Sequence, residues 1–118
     1  MRREYLYLRD IVEAADHIAQ FIAGLSRSGF QGSELVRSAV VQKLALIGEA
    51  AAHVSSDLQA RHPEVPWPRI VGFRNILVHA YCGIDWDEVW RAASKEAPAL
   101  REQVESILEA EFPTGDAG

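Results

Sequence analysis

Apolar residues recur with the period of an α-helix through the first quarter of the chain. Between Tyr5 and Leu25 they occupy positions 5, 8, 11, 12, 15, 18, 19, 22 and 25, and charged residues such as Arg9, Glu13 and Asp16 lie off this stripe. The spacing places the apolar side chains on a single helical face. No stretch of useful length shows the period of two that a half-buried β-strand requires. The chain is therefore predicted to be all-α.

Capping and turn signals indicate further helices. Ser33 is a suitable N-cap for a second helix that runs to about Val54, and a short turn is expected at 57–61. The connector HPEVPWP, residues 62–68, contains three prolines, which favour an extended connection. Because proline is tolerated in a first helical turn, a third helix is expected to begin near Trp67.

A fourth helix is predicted for the C-terminal part of the chain. Gly83 is a natural end for the third helix, and Asp85 is placed to cap the fourth, which continues to about Ala110. Pro98 lies inside its apolar stripe and is expected to kink or split the helix near Glu96.

Length and composition indicate one domain. A chain of 118 residues matches the size of a single core, so residues 1–112 are assigned to one domain and 113–118 to a flexible tail. We expect a four-to-five-helix up-down bundle. The second helix carries two apolar stripes, which is wider than one core face needs, so it is expected to be central and also shared with a partner subunit.

Charge and cysteine content exclude several classes of protein. A content of 48% apolar and 25% charged residues is that of an ordinary globular protein, and no apolar run is long enough to span a membrane. The N-terminus is charged where a signal peptide is apolar, so a cytoplasmic location is expected. The single cysteine, Cys82, excludes an intramolecular disulfide. A net charge of −5 argues against a general basic field for nucleic acid, and no DNA binding is expected.

The acidity is concentrated in the tail. Residues 96–118 carry six carboxylates against one arginine, whereas residues 61–95 carry five cations against four anions. A local positive site around Arg69, Arg74, His79 and Arg91 is therefore possible.

The segment RNILVHAY, residues 74–81, groups four polar side chains of different chemistry. Arg74, Asn75, His79 and Tyr81 flank an apolar stretch that can anchor the segment in a core. Since each helical residue advances about 100°, Arg74 and Tyr81 nearly superpose, whereas His79 lies about 140° round from Arg74. The four groups converge only if the helix loosens after His79 or if a second copy of the chain contributes across a twofold axis.

The order and spacing of several segments resemble the HEPN ribonucleases, specifically HepT-like toxins. The arginine, four residues, histidine, one residue, tyrosine pattern is met by Arg74, His79 and Tyr81, with Asn75 beside the arginine. The resemblance covers about residues 5–110, because YLRDIVEAADHIAQFI, VVQKLALIGEAA, HPEVPW and GFRNILVHAYCGIDWDEVW also match in order.

The resemblance implies a fold and a function. The fold would be a homodimeric HEPN-type bundle, and the function that of a metal-independent endoribonuclease with no cofactor, the toxin of a type VII toxin–antitoxin system. Its site would lie at the dimer cleft, with Arg74 and His79 catalytic. The partner would be an MntA-like nucleotidyltransferase antitoxin that adenylylates Tyr81, which would make the chain a nucleotide-bearing phosphoprotein.

Elementary chemistry is compatible with this implication. RNA carries its own nucleophile, the 2′-hydroxyl, so its cleavage needs proton transfer and stabilisation of charge at phosphorus. Histidine suits proton transfer near neutral pH, and the arginine fork can hold two phosphate oxygens. Asn75 would orient the histidine or the phosphate, Tyr81 would donate a hydrogen bond to the phosphate or the leaving group, and Glu49 could hold an arginine in place from the second helix.

Other interpretations of these residues stay open. Arg74 and His79 could form a helix-end salt bridge, and Tyr81 could be a surface aromatic. Glu49 and His53 have the spacing of a metal half-site but no third ligand nearby in sequence, so no metal is expected. The alternative function is a non-catalytic HEPN module that binds a nucleotide or a partner protein, and a purely structural helical dimer is a third possibility. The tryptophans, Trp67, Trp86 and Trp90, are expected in the core or an interface rather than under RNA bases.

Overall fold

All regular secondary structure in the described part of the chain is helical. A computed structural model describes residues 2–79 and 83–115, with the side chains of Val78 and His79 left out. Its elements are α1 (Glu4–Ile22), α2 (Arg27–Gln31), α3 (Glu34–Ala52), α4 (Ser56–Arg61), α5 (Trp67–His79), α6 (Trp86–Arg91), a π-helical segment (Ala92–Glu96) and α7 (Ala97–Glu111). The predicted all-α class is confirmed for these residues.

The long helices follow the sequence prediction closely. The predicted N-caps are observed, since the side chain of Ser33 accepts a hydrogen bond from the backbone N–H of Val36, and that of Asp85 accepts from the N–H groups of Asp87 and Glu88. Each cap satisfies donors that have no partner inside the helix. The first predicted helix was too long at its C-terminal end, because α1 stops at Ile22.

Two short helices were not predicted as helices. The predicted connection after Leu25 contains α2, and the predicted turn at 57–61 is α4. Both are shorter than the window in which helical periodicity becomes visible. Serine caps begin both of them, and tertiary contacts fix them, since Phe30 of α2 and Leu58 of α4 are fully buried.

Helix α1 lies between α3 and α7 and runs antiparallel to both. Near its N-terminus, the ring of Tyr7 stacks on His53 after the end of α3, with 4.9 Å between centroids. Further along, Asp16 accepts a 3.1 Å hydrogen bond from Arg101 near the start of α7. The core between the three helices is aliphatic, and its largest members are Leu8, Ile11, Ile18, Val40, Leu44, Ile47, Leu100, Val104, Ile107 and Leu108.

The C-terminal helical region divides where the sequence predicts. A π-helical turn, Ala92–Glu96, precedes α7, in which Pro98 is the second residue. Proline has no N–H to donate to the carbonyl four residues earlier, and a wider turn accommodates the missing bond. The hydroxyl of Ser94 in this turn donates to the carbonyl of Trp90 at 2.7 Å.

None of the helices in residues 2–79 and 83–115 combines the length and apolarity needed to cross a membrane.

A charged cluster joins the end of α7 to the proline-rich connector. Glu111 accepts a 2.6 Å hydrogen bond from Nη2 of Arg61 and also contacts Nε2 of His62. The other ring nitrogen of His62 lies 3.3 Å from a carboxylate oxygen of Glu64. The hydrogen bond from Arg61 is the main reason that the pKa of Glu111 is below its ordinary value.

This cluster makes thermal stability depend on pH. A carboxyl group with a lowered folded-state pKa stabilises the fold above the unfolded pKa of about 4.3, and the contribution is lost as pH falls through the folded pKa. We expect Glu111→Gln to lower Tm by a few degrees at pH 7 and by progressively less below pH 4. Thermal melts of both proteins across this range measure the difference, and an equal difference at every pH would contradict the assignment.

Candidate functional site

Helices α3 and α5 pack closely at Gly48, where the backbone of α3 lies against a side chain of α5. Gly48 is buried in α3, and a Cβ atom added there would lie 2.1 Å from Cβ of Arg74, 2.8 Å from its Cγ and 3.2 Å from the carbonyl oxygen of Ile70. Carbon atoms in ordinary contact are about 3.5–4.0 Å apart. The helices therefore approach as closely as they do only because residue 48 has no side chain.

The guanidinium of Arg74 is the best-defined polar group of the RNILVHAY segment. Arg74 is half-buried, and its Nη1 donates a 3.0 Å hydrogen bond to Oδ1 of Asn75. Among the described residues no carboxylate forms an ion pair with Arg74, so the helix-end salt bridge is not observed there. The guanidinium has five N–H donors in a planar fork. The hydrogen bond to Asn75 uses one of them.

The other two members of the segment are only partly placed. The backbone of His79 ends α5, one helical turn after Asn75. The side chain of His79 lies outside the described residues, and so does all of Tyr81. Their convergence with Arg74, and the predicted loosening of the helix after His79, therefore stay predictions.

Glu49 lies beside the α3–α5 crossing but lines a different space. It is exposed and borders a cleft of about 430 Å³ between α1 and α3, together with Tyr7, Asp10, Lys43 and His53 among others. No hydrogen bond or ion pair joins Glu49 to Arg74 within the described residues. The neighbour that contacts α5 at this turn is Gly48, and a supporting role for Glu49 stays a prediction.

Glu49 and His53, which have the spacing of a metal half-site, make other contacts. Nδ1 of His53 lies 2.9 Å from the backbone carbonyl oxygen of Glu49, and the ring stacks on Tyr7. Within the described ranges, no three histidine, cysteine, aspartate or glutamate side chains are grouped so that they could hold a metal ion.

One cation of the predicted positive site has a carboxylate partner. Arg69 on α5 pairs with Glu96 at the π-helical turn, which neutralises a charge that the sequence prediction had assigned to a positive site.

The three tryptophans pack inside the fold. Trp67 is buried and donates to the carbonyl of His62 at 3.0 Å. The other two tryptophans pack against Phe30, with centroid distances of 6.4 Å for Trp86 and 5.3 Å for Trp90. All three tryptophans are thus packing residues, as predicted.

Helix α5 exposes an apolar side chain next to the polar pair. Ile76 is 54% exposed, whereas the following residue, Leu77, is 3% exposed and anchors the helix in the core. Helix α5 is therefore apolar on its buried face and partly apolar on its outer face, immediately after Arg74 and Asn75.

Sequence reasoning did not identify Gly48. The signal for it was present, because a glycine inside an otherwise apolar helix costs about 1 kcal/mol relative to alanine and marks a close approach of backbones. What the sequence could not show was which side chain approaches, since that depends on how α3 and α5 cross.

The described residues form a helical bundle in which none of their carboxylates pairs with Arg74, and comparison with known proteins gives the family. A profile of the family described as Ribonuclease HepT-like matches residues 11–107. A Methanocaldococcus jannaschii protein with RNase in its name is 35% identical over 101 residues, which is 86% of this chain and 93% of the relative. The Thermococcus cleftensis protein named "Probable ribonuclease HepT" is 33% identical over 101 residues, covering 86% and 92% respectively.

The chain therefore belongs to the HepT-like ribonuclease family of HEPN proteins, which confirms the resemblance found in the sequence. No solved structure matches the chain significantly.

Proposed function

We propose that this protein is an endoribonuclease toxin that cleaves RNA, without a metal ion, in a cleft shared by two subunits. The observation that carries the proposal is the Arg74 guanidinium. It is held at the α3–α5 crossing, is hydrogen-bonded to the neutral side chain of Asn75, and has no carboxylate partner among the described residues. Family membership supplies the reaction class, since the relatives carry ribonuclease names.

The proposed reaction is an internal transesterification. The 2′-hydroxyl of the RNA attacks the adjacent phosphorus, the new P–O2′ bond forms and the P–O5′ bond breaks, leaving a cyclic phosphate and a 5′-hydroxyl. His79 accepts the proton of the 2′-hydroxyl as general base, and water donates a proton to the leaving O5′. His79 then returns its proton to the solvent, so no net proton is gained or lost. Arg74 offsets the negative charge that develops on the phosphate oxygens, and Tyr81 donates a hydrogen bond to the phosphate or the leaving group.

The proposed homodimer places α5 beside a twofold axis. Two observations support it: the exposed Ile76 follows the polar pair directly, and α5 carries apolar residues on both faces. An isologous contact brings the same patch of each subunit together, so two copies of Arg74 would line one cleft. This arrangement doubles the local positive charge in a chain whose net charge is −5.

The proposed partner is an MntA-like nucleotidyltransferase antitoxin of a type VII system, which adenylylates Tyr81. Tyr81 follows Arg74 by seven residues, or nearly two helical turns if the helix continued. An added nucleotide brings a phosphodiester charge and bulk toward the guanidinium. It would occupy the anion site and stop RNA binding.

Cleavage of single-stranded RNA in excess EDTA tests the catalytic assignment. We expect His79→Ala to lower kcat by about 10²–10⁴-fold, because a general base is lost. Arg74→Ala should lower kcat/KM by about 10²–10³-fold, because charge stabilisation in the transition state is lost. His17→Ala on α1 and Arg9→Ala are matched controls outside the site and should cleave as the wild type does.

Equal cleavage by wild type and His79→Ala would contradict the role of His79. Binding of RNA that depends on Arg74, with no cleavage of any RNA, would instead favour the alternative of a non-catalytic HEPN module.

Molar mass in solution tests the dimer. We expect Ile76→Asp to convert the dimer to a monomer, because a carboxylate would be buried without a partner at the interface. Ala110→Asp is the control, since Ala110 is exposed on α7, a helix that is not assigned to the interface. Light scattering coupled to size-exclusion chromatography measures both, and an unchanged dimer in Ile76→Asp would contradict this interface.

Coexpression with the neighbouring nucleotidyltransferase gene tests the modification. Intact-mass and peptide mass spectrometry should find one adenylyl group on the peptide containing Tyr81 and none on the peptide containing Tyr7. Tyr81→Phe should stay unmodified. An adenylyl group found on any other residue would refute the assigned acceptor.

A further inference from the structure

At Gly48, the backbone of α3 lies so close to the side chain of Arg74 that a residue with a Cβ atom does not fit there unless α5 shifts. We infer that Gly48 is a positioning residue for Arg74, which sets the distance between α3 and α5 and thereby the place of the guanidinium in the cleft. This inference rests on the proposed function, because it assigns Gly48 a part in the use of Arg74 on RNA.

The contact cannot be relieved by rotating a side chain. The nearest atom to a Cβ at residue 48 is Cβ of Arg74, at 2.1 Å, and that atom is fixed by the backbone of α5. A second close atom is the backbone carbonyl oxygen of Ile70, at 3.2 Å. To restore an ordinary carbon contact of about 3.5 Å or more, α5 has to move away from α3 by roughly an ångström or more.

The packing around the contact transmits that shift to the site. On either side of Gly48, Leu44, Ile47 and Ala51 of α3 are buried, and Leu77 of α5 is buried one turn after Arg74. These side chains hold the two helices as a pair. A displaced α5 would therefore carry Arg74 and Asn75 with it, because both belong to the same helical turn.

Gly72 shows that this requirement is specific to residue 48. It lies on α5, two residues before Arg74, and a Cβ added there would meet nothing within 4 Å. Both glycines lie within helices, where alanine is the more favourable residue. Because residue 72 lies one turn before Ile76, on the side of α5 assigned to the dimer, the matched control is Gly29→Ala in α2, where an added Cβ would meet only ordinary contacts of 3.5 Å or more.

The expected effect on catalysis is large because phosphate contacts are sensitive to distance. A misplacement of about 1 Å at a reacting centre can cost roughly 100-fold in rate. We expect Gly48→Ala to reduce kcat/KM for single-stranded RNA by about this factor. Gly29→Ala should retain wild-type kcat/KM.

A double-mutant cycle separates positioning from general destabilisation. In the Arg74→Gly background, which removes the Cβ and Cγ atoms that a side chain at residue 48 would meet, Gly48→Ala should cause no further loss of kcat/KM or of affinity for a 2′-O-methyl RNA that cannot be cleaved. The salt dependence of that affinity is the second readout, since each phosphate contact on a single strand contributes about 0.7 to the slope. Gly48→Ala, Arg74→Gly and the double variant should each lose about one contact.

The outcomes are distinct. Wild-type cleavage by Gly48→Ala, additive losses in the double variant, or an equal loss in Gly29→Ala would overturn the positioning role while leaving the proposed function intact. If Arg74→Ala cleaves and binds RNA as the wild type does, the proposed function itself fails, and the role of Gly48 with it.

A folding rescue keeps the inference testable if Gly48→Ala does not fold. Combining it with Arg74→Gly removes Cβ and Cγ of Arg74, which should restore the thermal transition, whereas Arg74→Ala retains Cβ and should not. A thermal transition restored by Arg74→Gly but not by Arg74→Ala supports the contact. The same thermal behaviour of the two combinations overturns it.

Discussion

The close approach of α3 and α5 at Gly48 is the contact on which the site depends. Elsewhere the bundle is held by aliphatic side chains that keep helices at ordinary distances, as between α1 and α7. At Gly48 the missing side chain lets α5 settle against the backbone of α3, so that Arg74 rests its aliphatic stem on α3 and keeps its charged end partly exposed. A long polar side chain can be held this way without burying its charge.

The charge distribution gives Arg74 a different role from the arginines that pair with acids. Ion pairs with a carboxylate on another segment are formed by Arg61, Arg69 and Arg101. Arg2 pairs with Asp10 of α1. Such exposed pairs contribute little to stability individually, but they cancel local positive charge. Arg74 is bonded instead to an amide. An acidic protein can therefore still present a cation to a phosphate, provided that the cation is kept away from carboxylates.

The sequence was informative about elements and less informative about contacts. Apolar periodicity located the long helices, and the caps at Ser33 and Asp85 were recognisable because a short polar side chain at a helix start satisfies backbone donors. Helices α2 and α4 escaped because tertiary contacts of Phe30 and Leu58 stabilise them more than any local signal does. At the candidate site, residue type and spacing pointed to Arg74 and Asn75, whose role in function stays a proposal. Gly48 lies far from Arg74 in the sequence, so its contact with Arg74 is apparent only from the way α3 and α5 cross.

The geometry of α5 supports a site shared by two subunits in the proposed function. Helix α5 stays helical through His79, so the Cα atoms of Arg74 and His79 are separated by five residues and about 140° around the axis. Positions at that angle lie on different faces of a regular helix. A second copy of α5 related by a twofold axis could supply the second group without a bend in the helix, because a group from each subunit could then face the same phosphate. In the proposed arrangement, the complete site forms only when two subunits associate. The exposed Ile76, beside Arg74 and Asn75, is where the interface would meet the site.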